Sequence, residues 1–354
     1  MKRIEYIDAM RGFTMILVVF SHVLLFTFQR GGDSFGFNDI FVTFRMPLFF
    51  FLSGFLMYKP GRFDSFRKTG EFIRKKFVVQ IIPTLVFSAA FCFLYSRSYG
   101  GLLHDTSKNG FWFTYTLFFY FLIYSIGDLV IGKFLHSRAK LIAGAAMAVL
   151  VYAFSKYSLL PTCPWYGSTL YWLIGFNNLQ FFLFFFFGAT VKRWFGRVET
   201  LLDSKAGIAV LVSLFLLFEI ALYAPASRAA LTSVSYSLWS VVKTMAGFWG
   251  ILVVLAFFRK YQHAFSSEKA IGRSLQYIGT RTLDIYLLHL FLIRCDLSKV
   301  GAFFTAHHNP VLELFAGLAG ALLVIGLCLV ISNIIRCSDF LAKYLFGKVI
   351  PLEK

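Results

Sequence analysis

Two ionisable residues, Arg11 and His22, stand eleven positions apart at the ends of a mostly apolar stretch. On an α-helix, eleven residues turn through about 1100°, roughly 20° more than three full turns, so both side chains lie on one face. The same stretch rises about 16 Å, which is half the thickness of the hydrocarbon core of a bilayer. A neutral imidazole at that depth is suited to accept a proton from a hydroxyl group. The spacing therefore predicts a cation near one membrane surface and a candidate general base near the midplane.

Asp8 stands three residues before Arg11, which is within side-chain reach on a helix. The mostly apolar residues between Arg11 and His22 offer the imidazole no partner nearby in sequence, so it must face protein or water. Because ionisable groups inside a membrane are costly, this placement favours a function. A second interpretation stays open, in which His22 only completes hydrogen bonds inside a helical bundle.

Other polar residues interrupt later apolar stretches. Arg45 precedes Met-Pro-Leu and either lines a pocket or extends to the membrane surface. Ser53 precedes a glycine and either lines a pocket or permits close helix packing. Tyr286 and His289 share one helical face with Thr282, and both are pocket candidates, although polar packing between helices also explains Tyr286.

The composition identifies the elements that position these residues. Only 15% of the 354 residues are charged, against about 25% in ordinary soluble domains, whereas 58% are hydrophobic. We therefore expect an all-α polytopic membrane protein with about ten transmembrane helices. The predicted spans cover residues 12–28, 40–58, 77–95, 111–131, 141–157, 179–191, 207–223, 236–258, 275–293 and 311–335.

The basic residues behind the net charge of +18 lie mainly in the connections between spans. Most Lys and Arg residues fall in the connections on one side, which predicts that both termini are cytoplasmic and argues against a nucleic-acid partner. The most basic connection, residues 59–76, ends in Arg74, Lys75 and Lys76. Its charge either sets the topology alone or binds the phosphates of a nucleotide-containing ligand. No metal-ligand spacing or glycine-rich phosphate loop is present, so we expect no metal and no permanently bound cofactor. Composition and spacing leave both an enzyme and a transporter open.

Several motifs resemble those of the membrane acyltransferase-3 family. They are Tyr-Ile-Asp-Ala-Met-Arg-Gly at 6–12, Val-Val-Phe-Ser-His at 18–22 and Met-Pro-Leu-Phe-Phe-Phe-Leu-Ser-Gly-Phe-Leu-Met-Tyr at 46–58. Weaker matches at 112–117, 181–188 and 279–289 extend the resemblance across nearly the whole chain. It implies a single integral-membrane domain over residues 1–354 without a fused soluble domain.

Members of that family transfer acyl groups, mostly acetyl, from cytoplasmic acyl-CoA to hydroxyl groups of exported or lipid-linked carbohydrates. The resemblance thus implies a multi-pass O-acyltransferase of the inner (plasma) membrane, with the lipid bilayer, acyl-CoA and a carbohydrate as partners and acetyl-CoA as the expected donor. We expect the catalytic residues to be His22, as general base, and Asp8. We expect the acyl-CoA-binding residues to be Arg11, Arg74, Lys75 and Lys76.

This chain departs from the family pattern at two places. Lys76 and Val79 occupy the positions of two arginines that many members carry before the third helix, and Arg45 stands where many have histidine. The alternative function is a transporter or flippase, or an exporter that passes the acyl group to another protein.

Overall fold

Long apolar stretches form long helices because a backbone in lipid must satisfy its own hydrogen bonds. The computed structural model describes residues 4–30, 36–134, 137–158, 162–224, 227–229 and 236–347. Within these ranges there is no β-strand, and nine helices are long and apolar enough to cross a membrane. They are Glu5–Thr27, Phe37–Met57, Phe66–Leu94, Trp112–Phe134, Arg138–Tyr157, Thr169–Arg193, Lys205–Tyr223, Leu238–Lys260 and Pro310–Ile335. The prediction of an all-α polytopic membrane protein is confirmed.

Three predicted elements differ from the observed ones. The predicted span 275–293 consists of two shorter helices, Ala270–Thr280 and Thr282–Leu292, which meet at Arg281. The predicted span 179–191 is longer and begins at Thr169, with a left-handed Gly175 between its two helical parts. Residues 66–76 of the predicted basic connection, 59–76, form a helix continuous with the third span.

The chain divides into two compact units. Unit 1 comprises Met1–Leu52 and Trp194–Cys328, and unit 2 comprises Ser53–Arg193 and Leu329–Lys354. The residues predicted for catalysis, His22 and Asp8, both belong to unit 1.

Unit 1 is organised by the contact between helices Glu5–His22 and Ala270–Thr280. A Cβ atom added to Gly12 would lie 2.0 Å from the carbonyl oxygen of Leu275, and one added to Gly279 would lie 1.9 Å from that of Asp8. Gly12 thus faces a residue one turn before Gly279, and Gly279 faces a residue one turn before Gly12. The two helix backbones therefore touch, as small residues permit in membranes.

Hydrogen bonds hold both ends of this helix pair. At one end, the backbone N–H and the hydroxyl of Ser267 donate to the carboxylate of Glu5 at 2.9 and 2.8 Å. At the other end, the Thr27 hydroxyl donates to the carbonyl of Ile293 at 2.8 Å, and the N–H of Leu297 donates to the carbonyl of Thr27 at 2.8 Å. The two segments thus run parallel and stay in register over the whole first span.

Unit 2 contains a comparable contact and a buried lysine. A Cβ on Gly54 would lie 1.9 Å from the carbonyl oxygen of Phe185, so the glycine of the Ser53-Gly54 pair permits helix packing. Lys108 is buried in a short turn, where its ammonium group donates to the carbonyl of Trp172 at 2.6 Å. Burial lowers the pKa of Lys108 to about 8.

The Gly12–Gly279 contact predicts the effect of a single methyl group. The Gly279→Ala substitution places that methyl against a backbone carbonyl that cannot move aside, so the helices must separate. We expect the thermal unfolding midpoint of the purified protein in detergent to fall by several degrees. Gly326→Ala is the matched control. Gly326 lies on another membrane helix, Pro310–Ile335, and nothing lies within 4 Å of a Cβ atom added there. Equal midpoints for the two variants would contradict the backbone contact.

Candidate functional site

The candidate base His22 contacts the pocket candidate His289. Nδ1 of His22 and Nε2 of His289 lie 2.9 Å apart, and the two rings are within 6° of parallel with centroids 5.1 Å apart. Within the described residues, no carboxylate contacts either ring. The candidate site thus contains two adjacent imidazoles, one from each of two helices of unit 1.

Backbone carbonyls define the tautomer of the pair. Nδ1 of His289 lies 2.7 Å from the carbonyl oxygen of Tyr286 and 3.1 Å from that of Ile285. A carbonyl only accepts, so Nδ1 of His289 carries the hydrogen, and an unpaired cation buried there would be costly. In the neutral ring, Nε2 of His289 then accepts, and Nδ1 of His22 must donate to it. This leaves Nε2 of His22 as the nitrogen with the free lone pair.

The two rings differ in access. His289 is fully buried, with 0% of its surface exposed. His22 keeps part of its surface accessible, and no other residue of the described chain hydrogen-bonds to its ring. His22 is thus the member that can meet a substrate, and His289 is the member that orients it.

The backbone changes its hydrogen bonding immediately after His22. The α-helix that begins at Glu5 ends at His22 and continues as a π-helical turn over Val23–Thr27. Such single π turns widen a helix locally and are frequent at functional sites. Here the widened turn follows the candidate base directly.

Arg11 is held at the opposite end of the same helix. Its Nη1 lies 3.4 Å from Oδ1 of Asp8, and its Nη2 donates to the hydroxyl of Thr282 at 3.0 Å. About a quarter of the Arg11 side chain, 26%, remains exposed. Asp8 therefore contacts Arg11, while it lies about 21 Å from His22 along the helix axis. The structure does not bring Asp8 to the candidate base.

The remaining predicted residues occupy different places. Arg45 lies in the unit 1 part of helix Phe37–Met57, with Nε and Nη1 buried and without a hydrogen-bond partner in the described part of the chain. Ser53 belongs to unit 2. Tyr286 supplies the carbonyl that orients His289, and its ring lies beside the His289 ring, with centroids 5.8 Å apart.

The three basic residues predicted to bind acyl-CoA in unit 2, Arg74, Lys75 and Lys76, lie on the last turn of helix Phe66–Lys76. Arg74 and Lys75 are exposed, whereas the ammonium of Lys76 lies 4.1 Å from the ring centroid of Phe121. Lys76 is thus engaged in a cation–π contact, and Arg74 and Lys75 remain available to an anionic ligand. In the described ranges no group of His, Cys, Asp and Glu residues is arranged to hold a metal ion.

Sequence reasoning flagged both histidines but missed their pairing. A signal was present, because His22 follows Gly12 by ten residues and His289 follows Gly279 by ten residues. Two parallel helices that touch at their glycines bring positions at equal distances beyond the glycines to the same depth, about 15 Å further on. Equal spacing from two contact glycines is thus the pattern that predicts the pair.

Comparison with known proteins assigns the chain to a family. The sequence model of the acyltransferase-3 family, described as an acyltransferase domain, matches residues 4–333. The chain belongs to the acyltransferase-3 family. This membership supports a membrane acyltransferase, in agreement with the resemblance of the first two helices.

A similar curated protein is the inner membrane protein YcfT of Escherichia coli (strain K12). It is 24% identical over an alignment of 368 positions, which covers 94% of this chain and 91% of YcfT. No solved structure matches the chain.

Proposed function

We propose that this protein is an O-acyltransferase of the inner membrane that moves an acyl group, most simply acetyl, from acyl-CoA to a hydroxyl group of an exported or lipid-linked carbohydrate. The observation that carries the proposal is the free lone pair on Nε2 of His22, fixed by the hydrogen bond to His289. Family membership supplies the reaction class. The name of YcfT, an inner membrane protein, supports the location.

In the proposed reaction, Nε2 of His22 removes the proton of the acceptor hydroxyl as its oxygen attacks the thioester carbonyl carbon. The resulting tetrahedral intermediate collapses, the carbon–sulfur bond breaks, and the acyl group forms an ester with the acceptor oxygen. His22 then returns the proton to the leaving thiolate of coenzyme A. General-base catalysis of this kind contributes about 10²- to 10⁴-fold in rate.

His289 supports this cycle without touching the reacting atoms. While His22 carries the extra proton, its Nδ1–H continues to donate to Nε2 of His289, which stabilises the imidazolium. The carbonyl of Tyr286 holds the His289 ring in the tautomer that permits this. His289 is therefore a positioning residue for His22.

The donor binds at the Arg11 end of the helix in this proposal. With a cytoplasmic N-terminus, as the basic connections predict, the partly exposed Arg11 faces the compartment that holds acyl-CoA. Its guanidinium, positioned by Asp8 and Thr282, binds a phosphate group of coenzyme A. The thioester must then reach about 16 Å along the helix to His22, a distance suited to a ligand with a long flexible arm.

Loss of the base gives the first activity prediction. His22→Ala should lower acyl transfer from radiolabelled acetyl-CoA to a carbohydrate acceptor by at least about 100-fold in nanodiscs. His307→Ala is the control, because this exposed histidine of unit 1 bonds only to a backbone carbonyl of its own helix turn. Transfer by the His22 variant at the control rate would remove His22 from the mechanism. If the unsubstituted protein moves acceptor or acyl groups across the bilayer without forming an ester, the transporter alternative is correct.

Loss of the donor-side cation should have a different kinetic signature. Arg11→Gln removes a charged hydrogen-bond donor that the proposal places on a phosphate, so we expect KM for acetyl-CoA to rise by roughly tenfold or more. The maximal rate should change little, because Arg11 is remote from the reacting atoms. Lys299→Gln, which removes an exposed cation of unit 1, should leave KM unchanged. A fall in kcat at constant KM would assign Arg11 a role in the chemical step instead.

A further inference from the structure

A second group of intramembrane charges in unit 1 is not used by the proposed chemistry. It consists of Arg45 on helix Phe37–Met57, Glu219 on helix Lys205–Tyr223 and Lys243 on helix Tyr236–Lys260. We call these three residues the Arg45 cluster. Charges inside a membrane are costly and line functional cavities or pair with one another, so each member needs an account.

The three helices that carry the cluster pack against one another. A Cβ on Gly250 would lie 2.8 Å from Cβ of Phe44 and 3.0 Å from the ring of Phe215. The hydroxyl of Tyr223 donates to the carbonyl of Asp39 at 2.8 Å, which brings helix Lys205–Tyr223 against the start of helix Phe37–Met57. The cluster is therefore enclosed by helices of one unit.

Nearby groups partly compensate the positive charge of Lys243. Its ammonium lies 4.9 Å from the centroid of the Trp239 ring, and Glu219 and Asp39 are near enough for their charges to act on it. Asp39 is already engaged, since one of its carboxylate oxygens accepts from the N–H of Gly36 at 2.8 Å. Glu219 thus offsets Lys243, with its carboxylate buried beside Thr43.

Arg45 has no such compensation among the described residues. Its Nε and Nη1 are buried without a hydrogen-bond partner, and no carboxylate forms a salt bridge with it within 4.0 Å. The residue as a whole nevertheless retains intermediate exposure. A buried guanidinium with two unused donors is a site for an anion with matching acceptor oxygens.

The position of Arg45 relates this site to the candidate base. Ser21, the neighbour of His22, donates to Oδ1 of Asn38 at 2.5 Å. The start of helix Phe37–Met57 therefore lies at the same depth as the end of helix Glu5–His22. Arg45 follows Asn38 by seven residues, about 10 Å along the helix. Helical side chains lean toward the N-terminus of their helix, so the guanidinium returns toward the level of His22. Its charge is near enough to act on the His22 ring.

We propose that Arg45 binds an anionic group on the acyl acceptor, a carboxylate or a phosphate, and thereby places a hydroxyl of that acceptor at Nε2 of His22. Lys243 lies seven residues, about 10 Å, before Gly250 on its helix, near enough to Arg45 for the two charges to act on each other, and it attracts the same anion. The word acceptor rests on the acyl transfer proposed above, whereas the anion site itself does not. The acceptor class is thus an acidic sugar or a sugar linked to a lipid phosphate.

Binding in the absence of acyl-CoA tests the site. Two matched pairs of probes distinguish the sources of the anion: a glucuronate-containing tetrasaccharide against its carboxyl-reduced form, and farnesyl phosphate against farnesol. We expect one anionic probe to raise the thermal unfolding midpoint of the protein in nanodiscs, while its neutral counterpart does not. The pair that responds identifies the carboxylate or the phosphate.

Substitutions then locate the site. Arg45→Gln should weaken binding of the responding probe by roughly tenfold or more, and Arg45→Lys should weaken it less, because a charge remains. Lys299→Gln is the matched control, since it removes an exposed cation of the same unit. Unliganded unfolding midpoints establish that each variant is folded, and the comparison of charged and neutral probes on the unsubstituted protein stands without any variant.

The outcomes separate this proposal from the proposed function. If no anionic probe shifts the midpoint more than its neutral counterpart, or if Arg45→Gln binds as tightly as Lys299→Gln, the anion site is overturned. A protein that binds the anion through Arg45 but transfers no acetyl group would support the site and contradict the acyltransferase proposal. A protein that acetylates neutral acceptors and binds neither anion would contradict the anion site and support the acyltransferase proposal.

Discussion

The structure of unit 1 depends on the contact between two glycines. Gly12 and Gly279 let two helix backbones touch, and any side chain at either position would overlap a carbonyl oxygen of the partner helix. Because membrane helices gain little from the hydrophobic effect between them, such close packing is a main source of their association. The contact fixes the relative depth of everything further along the two helices. The pairing of His22 with His289, and that of Arg11 with Thr282, both follow from it.

The histidine pair is poorly explained as a stabilising device. Interhelical hydrogen bonds in membranes contribute on average about 0.6 kcal/mol. Burial of a polar group that is not fully compensated costs roughly 1–3 kcal/mol. A pair of apolar side chains at positions 22 and 289 would thus pack at least as well. The balance favours a chemical role, and the partial exposure of His22 agrees with it.

Sequence patterns predicted most of the helices, since hydropathy reports span length directly. They missed the break at Arg281, because two apolar helices in series give the same average hydropathy as one. They also missed that Lys108 is buried, since its partner, the carbonyl of Trp172, lies sixty-four residues away in sequence. The depth of His22 came from periodicity alone, but its partner and tautomer required tertiary contacts. Asp8 is near Arg11 in sequence and in space, and helix geometry alone already separates it from His22.

The central claim is that Nε2 of His22 is an unprotonated nitrogen held in place by His289. The most direct measurement is ¹⁵N NMR of the histidine-labelled protein in nanodiscs near neutral pH, with the His22 signals assigned by their loss in His22→Ala. We expect a protonated Nδ1 and a bare Nε2 for His22, and a mixture of tautomers when His289 is replaced by leucine. A His22 ring protonated at Nε2, or a tautomer that does not respond to His289→Leu, would contradict the account.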